Sequence, residues 1–195
     1  MAKTPENDLL DPPFPLLTWD DYSWSGEINL PSWAGFQSRR GNYGSVNSSD
    51  SSDGSAGLMV NTQDDTRIPP TPEQKAAFQY LLDHETQVAD KILQAIFLKY
   101  PEQRIAYLDA FDEYDRVLPE IQQPDELRSL IGLSNVHILV ESLSGNAYVG
   151  FEFGCAWDEE HGLGVMAHLD RVVDIGGADV SFLGWIAEQD AENQS

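Results

Sequence analysis

The sequence predicts an α+β fold, an antiparallel meander sheet packed with a helical segment and a short C-terminal helix. Three observations carry this. Apolar residues recur at helical spacing through residues 72–131, and from Asn135 onward the period changes to two. Pro101, Pro119, Pro124, Gly132, Gly145 and Gly176-Gly177 mark the joints of the pattern. Strands that follow one another with short turns form a meander, and a preceding helical block then packs on it. A length of 195 residues suits a single domain over 1–195, large enough to bury roughly 70% of its unfolded surface.

The elements follow in chain order. Residues 14–61 form an N-terminal β-hairpin region rich in aromatics: Trp19, Tyr22, Trp24, Trp33 and Phe36. Trp24–Leu30 alternates as a strand, which Pro31 ends or places at an edge. Residues 37–57, QSRRGNYGSVNSSDSSDGSAG, have little to bury and read as a flexible Ser/Gly/Asp loop. Leu58–Asn61 is a short strand that returns to pair with the first. A polar linker, 62–70, leads to the helical segment 72–131. Thr71 is an N-cap, Pro72 suits the first helical position, and Gln74 completes a capping box. Phe78, Leu81, Leu82, Val88, Ala89, Ile92 and Ile96 carry a helix to about Tyr100. Pro101 breaks it and starts a second, with Ile105, Leu108 and Phe111 inward and Pro119 as its bound. Asp125–Ile131 is a third, ended by Gly132. The unit 135–189 follows, with strands near 135–141, 147–153, 163–168 and 171–175. A terminal helix, Val180–Gln189, presents Phe182, Leu183, Trp185 and Ile186 to the core. The helices are expected against one face of the sheet.

The formal charge of −22 bounds the function. It argues against binding nucleic acid, which needs clustered Lys and Arg, and against anionic membranes. It favours rapid encounter with a basic protein partner, although acidity also simply keeps proteins soluble. The charge is uneven: residues 134–195 hold eleven acids and one base, Arg171. A single cysteine, Cys155, excludes an internal disulfide and suits a reducing compartment. The opening MAKTPENDLLDPPFPLL lacks the pattern of a secretory leader, so the expected location is the cytoplasm.

Ala147–Asp179 concentrates the candidate chemistry. Asp158, Glu159, Glu160 and His161 could hold a metal or run acid–base chemistry. The four are consecutive, however, and neighbours on a turn point in different directions, so a solvated acidic turn is the expected structure. His137 and His168 lie on strands and are expected to be hydrogen-bonded rather than ligands. His84, among polar helix positions, is expected at the surface. Cys155 has nothing basic near it in sequence and reads as a small buried apolar residue. Glycines 150, 154, 162, 164, 176 and 177 do not match a phosphate cradle and are expected to allow turns, bulges or close approach. Trp185 reads as core, and the N-terminal aromatics are either core or a recognition surface.

The stretch AYVGFEFGCAWDEEHGLGVMAHLDRVVDIGGAD resembles a bacterial domain of unknown function. In that domain a strand ends in Phe-x-Cys-x-Trp-Asp, followed by Glu-His-Gly-Leu-Gly-Val, a hairpin and Arg-Val-Val-x-Ile-Gly. The TPEQ helix start, LIGLSNVHI and WSGEINL are also similar to that family. Such domains look similar to acidic immunity proteins encoded beside toxins in interbacterial competition. The resemblance implies a fold and a class, and carries no catalytic residue.

The expected function is therefore a cytoplasmic, non-enzymatic inhibitor that binds a basic toxin or effector through Asp158, Glu159, Glu160, Asp170 and Asp174, with no cofactor. The alternative is a metal-assisted hydrolase using Asp158, Glu160 and His161, with His137 or His168.

Overall fold

The computed structural model describes residues 7–38, 51–110, 118–158 and 160–194. Among these, eight strands form one sheet whose spatial order is the chain order: β1 (Asp8–Leu10), β2 (Leu16–Trp19), β3 (Ser23–Gln37), β4 (Ser51–Asn61), β5 (Ile131–Leu143), β6 (Asn146–Cys155), β7 (Leu163–His168) and β8 (Arg171–Gly176). Every neighbouring pair is antiparallel except β4–β5, which is parallel. A parallel pair needs a long crossover, and α1 (Pro72–Asp83) and α2 (Glu85–Ala110) lie within it. The fold is α+β, as the sequence predicts, with a mixed and mostly antiparallel sheet.

Both faces of the sheet are covered. Alternation on β5–β7 sends Val136, Ile138, Val149, Phe151 and Val165 to one side, where Phe78 and Leu81 of α1 and Ile92 and Ile96 of α2 meet them. Leu139, Tyr148 and Met166 point the other way, under Val180 of the 3-10 helix Ala178–Ser181 and Ile186 and Ala187 of α3 (Gly184–Gln194). Helices on one face only is thus corrected: the C-terminal elements have their own apolar stripe and cover the second face.

The capping box forms as predicted. Thr71 accepts from the Gln74 N–H, and Gln74 Oε1 accepts from the Thr71 N–H at 2.9 Å. Gln74 is itself buried, and its Nε2 donates to the carbonyls of Asn61 (2.8 Å) and Ile138 (3.2 Å). One side chain therefore starts the crossover helix and ties it to both strands that it joins.

Several boundaries differ from expectation. The first helix ends at Asp83, with His84 as its exposed C-cap stacked on Tyr80 at 4.1 Å. Pro101, expected to break the helix, lies inside α2 on an exposed face, where water can satisfy the carbonyl that its missing N–H leaves free. Strand β3 runs through Pro31, because the ladder with β4 is interrupted there: Asn29 pairs Ser55 and the next pair is Ala34 with Asp53. Gly54 makes this irregularity possible, having φ +91° and no Cβ to meet the Leu30 carbonyl, which would lie at 2.6 Å. Residues 51–57, expected to be loop, are strand. The rest of that expected loop, 39–50, and Phe111 lie outside the described residues. Asp125–Ile131 is a 3-10 helix over Pro124–Ser129, and Gly132 lies within β5 instead of ending a helix. Trp24, Trp33 and Phe36 are core, whereas Tyr22 is exposed. No helix among the described residues is long and apolar enough to cross a membrane.

Candidate functional site

The glycine-rich β6–β8 sheet shapes the region that the sequence singles out. Its glycines serve the approach of a chain segment to the sheet face, not a ligand. An added Cβ on Gly150 would overlap the Ser181 carbonyl and lie 2.8 Å from Ser181 Cα, and one on Gly164 would lie 2.8 Å from the Ala178 carbonyl oxygen. The 3-10 helix Ala178–Ser181 therefore rests directly on these two strands.

The acidic turn between β6 and β7 is not simply solvated. The Asp158 side chain is 16% exposed and that of His161 72%. Asp158 Oδ1 accepts from the His161 N–H (2.9 Å) and from His161 Nδ1 (3.1 Å), and Oδ2 accepts from the Tyr107 hydroxyl of α2. Burial works to raise the Asp158 pKa, but the bonds from Tyr107 and His161 outweigh it and hold the carboxyl below its ordinary value. Asp158 thus ties the turn to α2. Glu160 is exposed, and Glu159 lies outside the described residues.

The remaining predicted contact residues are elsewhere. Asp170 sits at the β7–β8 turn, where Gln87 donates to it at 2.7 Å. That turn and the acidic turn flank opposite ends of β7, whose six residues span about 17 Å. Asp174 is exposed on β8, the last strand of the sheet, its carboxylate accepting from the Ile175 N–H at 2.8 Å. Asp158, Glu160, Asp170 and Asp174 consequently do not form one compact patch.

The histidines are committed to the fold. A carboxylate or carbonyl can only accept, so each histidine nitrogen facing one carries the proton. His137 Nε2 donates to Glu152 Oε2 at 2.9 Å, beside Asn135 Nδ2 at 3.0 Å. Burial works to raise the Glu152 pKa, and the His137 and Asn135 interactions outweigh it, so it lies below the ordinary value. His168 Nε2 donates to the Leu143 carbonyl at 3.0 Å and its ring packs on Tyr148. Cys155 is fully buried, with Sγ donating to the Asp158 carbonyl at 3.5 Å. Among the described residues, no three His, Cys, Asp or Glu side chains gather as a metal-binding group. Of the set named for a hydrolase, Asp158 and His161 meet; His137 and His168 are each held by other partners.

A second network, invisible in the sequence, anchors α3. Asp190 accepts from Arg171 Nη1 (2.9 Å) and Nη2 (2.5 Å) and from the Tyr148 hydroxyl (2.7 Å). The Arg171 hydrogen bond, with help from Tyr148, lowers the Asp190 pKa against an opposing burial effect. Burial, then Asp190, pushes the Tyr148 phenol up to about 12. Above this network, α3 points Trp185 outward, 57% exposed, where the sequence had suggested core.

Among the described residues, most cations are paired within the chain. Lys75 meets Asp11, Lys99 meets Glu102, Arg104 meets Glu120, Arg128 meets Asp125 and Arg171 meets Asp190, all within 3.7 Å. A groove of about 390 Å³ between α2 and the β7–β8 turn is lined by Lys91, Leu98, Asp170 and Arg171, two of whose charges are already engaged as described.

The family model for a domain of unknown function, DUF6985, matches residues 25–183, from early β3 to the residue before α3. The chain belongs to the DUF6985 family. No curated protein and no solved structure matches it. The DUF6985 span contains the acidic turn, the His137–Glu152 pair and the 3-10 helix seated on Gly150. Strands β1 and β2 and helix α3 fall outside the span.

Glu152, Asn135, Tyr107 and Asp190 were missed by sequence reasoning. Glu152 carried a signal, as a carboxylate set between Phe151 and Phe153 on a strand needs a partner. Tyr107 and Asp190 carried none, since both act across elements far apart in the chain.

Proposed function

We propose that the protein is an acidic binding protein of the cytoplasm, an immunity-type inhibitor that neutralises a basic toxin or effector by covering it. The observation that carries this reading is how the charged groups are used. The described cations are mostly tied to carboxylates of the same chain, and the full chain carries a formal charge of −22, so acidic groups far outnumber basic ones. Such an excess speeds encounter with a cationic protein and repels nucleic acid and anionic lipid. The histidines and Cys155 supply no nucleophile–base pair, since each is bound to a structural partner. The glycine-rich motif resembles a domain of unknown function that looks similar to immunity proteins, which supports the same class, and the lone buried thiol suits a reducing compartment.

The interface under this reading is broader than the acidic turn, because Asp158 is turned inward and Asp170 lies at the far end of β7. Glu160 and Asp174 remain available as contacts. Affinity purification from source cells at low salt tests the reading. It is expected to recover a protein of isoelectric point above about 9 that high salt releases. Repeated recovery of no basic protein contradicts it.

A further inference from the structure

The structure exposes two aromatic side chains where the sequence suggests core. Trp185 is 57% exposed and Phe182, three residues earlier, 43%. Phe182 closes the 3-10 helix Ala178–Ser181: its N–H donates to the Asp179 carbonyl at 3.0 Å, and its ring leans on His137 at 5.3 Å. Trp185 lies in the first turn of α3, and its indole has no hydrogen bond or ring contact among the described residues.

The geometry of α3 fixes what surrounds it. Ile186 and Ala187 face the sheet, and Asp190 is held by Tyr148 and Arg171. The exposed residues three and seven positions after Trp185 are Glu188 and Glu192, and residues at these spacings share a helix face. Neither has an ion-pair partner among the described residues. Glu141 reaches the start of the same helix, its Oε1 lying 2.5 Å from where a Cβ on Gly184 would be. An open indole face beside uncompensated carboxylates matches one ligand chemistry well. A guanidinium can stack on the ring while its N–H groups bond the carboxylates. An anionic ligand would meet repulsion, and a purely apolar one would leave the carboxylates desolvated and unpaired.

We propose that Trp185, with Glu188 and Glu192 on the same face of α3, forms the docking point for an arginine side chain of a basic protein partner. This rests on the binding function proposed above and names the surface that performs it. The anchor is rigid, since α3 is fixed to the sheet by Asp190 and the 3-10 helix by its seat on Gly150, so little ordering accompanies binding.

Titration of the full chain with a hexa-arginine peptide at low salt, followed by calorimetry and by tryptophan emission, tests this. Wild type is expected to bind and to shift its emission. Trp185→Ala should weaken binding about tenfold, and Trp185→Phe less, because the phenyl ring retains part of the stacking. Glu188→Gln with Glu192→Gln should weaken it and flatten its salt dependence. Hexa-lysine should bind more weakly than hexa-arginine. Unchanged affinity in Trp185→Ala, with a melting temperature equal to wild type, overturns the docking point but leaves the basic-partner reading standing. Failure of wild type to bind either peptide overturns both.

Discussion

Gly150→Ala is predicted to be among the most damaging single-methyl additions to this protein. The new Cβ would overlap the backbone of Ser181, whose Cα is only 2.8 Å from its position. No side-chain rotation relieves a clash with backbone, so the 3-10 helix Ala178–Ser181 must lift off the sheet. Ser181 is fully buried and donates to the Ala178 carbonyl at 2.6 Å, and Val180 and Ile186 are nearly buried over Met166. Each of those two apolar side chains contributes about 1.5–3 kcal/mol when fully buried. Losing a good part of both costs about 3 kcal/mol, near the upper end of ordinary substitutions. For a chain of this length each kcal/mol moves the melting temperature by about 2–4 °C, giving a drop of about 6–12 °C. Urea titration and a thermal melt measure it. Gly177→Ala is the control: its backbone φ is −62°, and the nearest atom to its Cβ is the rotatable Asp179 Oδ1 at 3.1 Å. A Gly150→Ala cost within about 0.5 kcal/mol of wild type, or no larger than that of Gly177→Ala, refutes the docking argument.

Three further outcomes are expected. Cys155 should resist a thiol reagent in the native protein and react fully once unfolded, because it is entirely buried; rapid native labelling would contradict its place in the core. Asp158, Glu152 and Asp190 all have folded pKa values below their unfolded ones. Their contribution to stability is therefore complete above the ordinary carboxylate range and lost as pH falls through the depressed folded values. Asp158→Asn should make urea stability less sensitive to pH below about 4, and an unaltered pH profile would show that the Tyr107 and His161 contacts are not made in solution. Trp185→Phe should remove most of the fluorescence that acrylamide quenches, since Trp24, Trp33 and Trp157 are buried and Trp19 is half-buried; a wild-type quenching curve would place Trp185 in the core after all.

What the sequence disclosed depended on whether the signal was local. The capping box at Thr71, Pro72 and Gln74 is a local device, and it formed. Strand β7 has the expected bounds, 163–168, because its apolar run is set off by turns on both sides. Residues 51–57 are Ser- and Gly-rich, and become strand through the tertiary ladder with β3, joined at Gly57 by the start of the parallel pairing with β5. Pro101 misled for a related reason: tertiary packing of α2 carries the helix through it. Trp185 misled because hydrophobic spacing does not say which face of a helix is opposed, and the helix begins at Gly184 rather than Val180. At the candidate site, Tyr107, which ties Asp158 to α2, and Tyr148 and Arg171, which hold α3, are remote in sequence from the groups they bind, so the acidic turn was visible while its inward orientation was not.

The most direct test of the central claim is the association rate between this protein and the basic protein recovered with it, measured as ionic strength rises. An excess of acidic groups predicts a rate that falls at least tenfold between about 50 mM and 500 mM salt, with dissociation changed far less. A rate that stays flat across that range, or a recovered partner that is itself acidic, would contradict it.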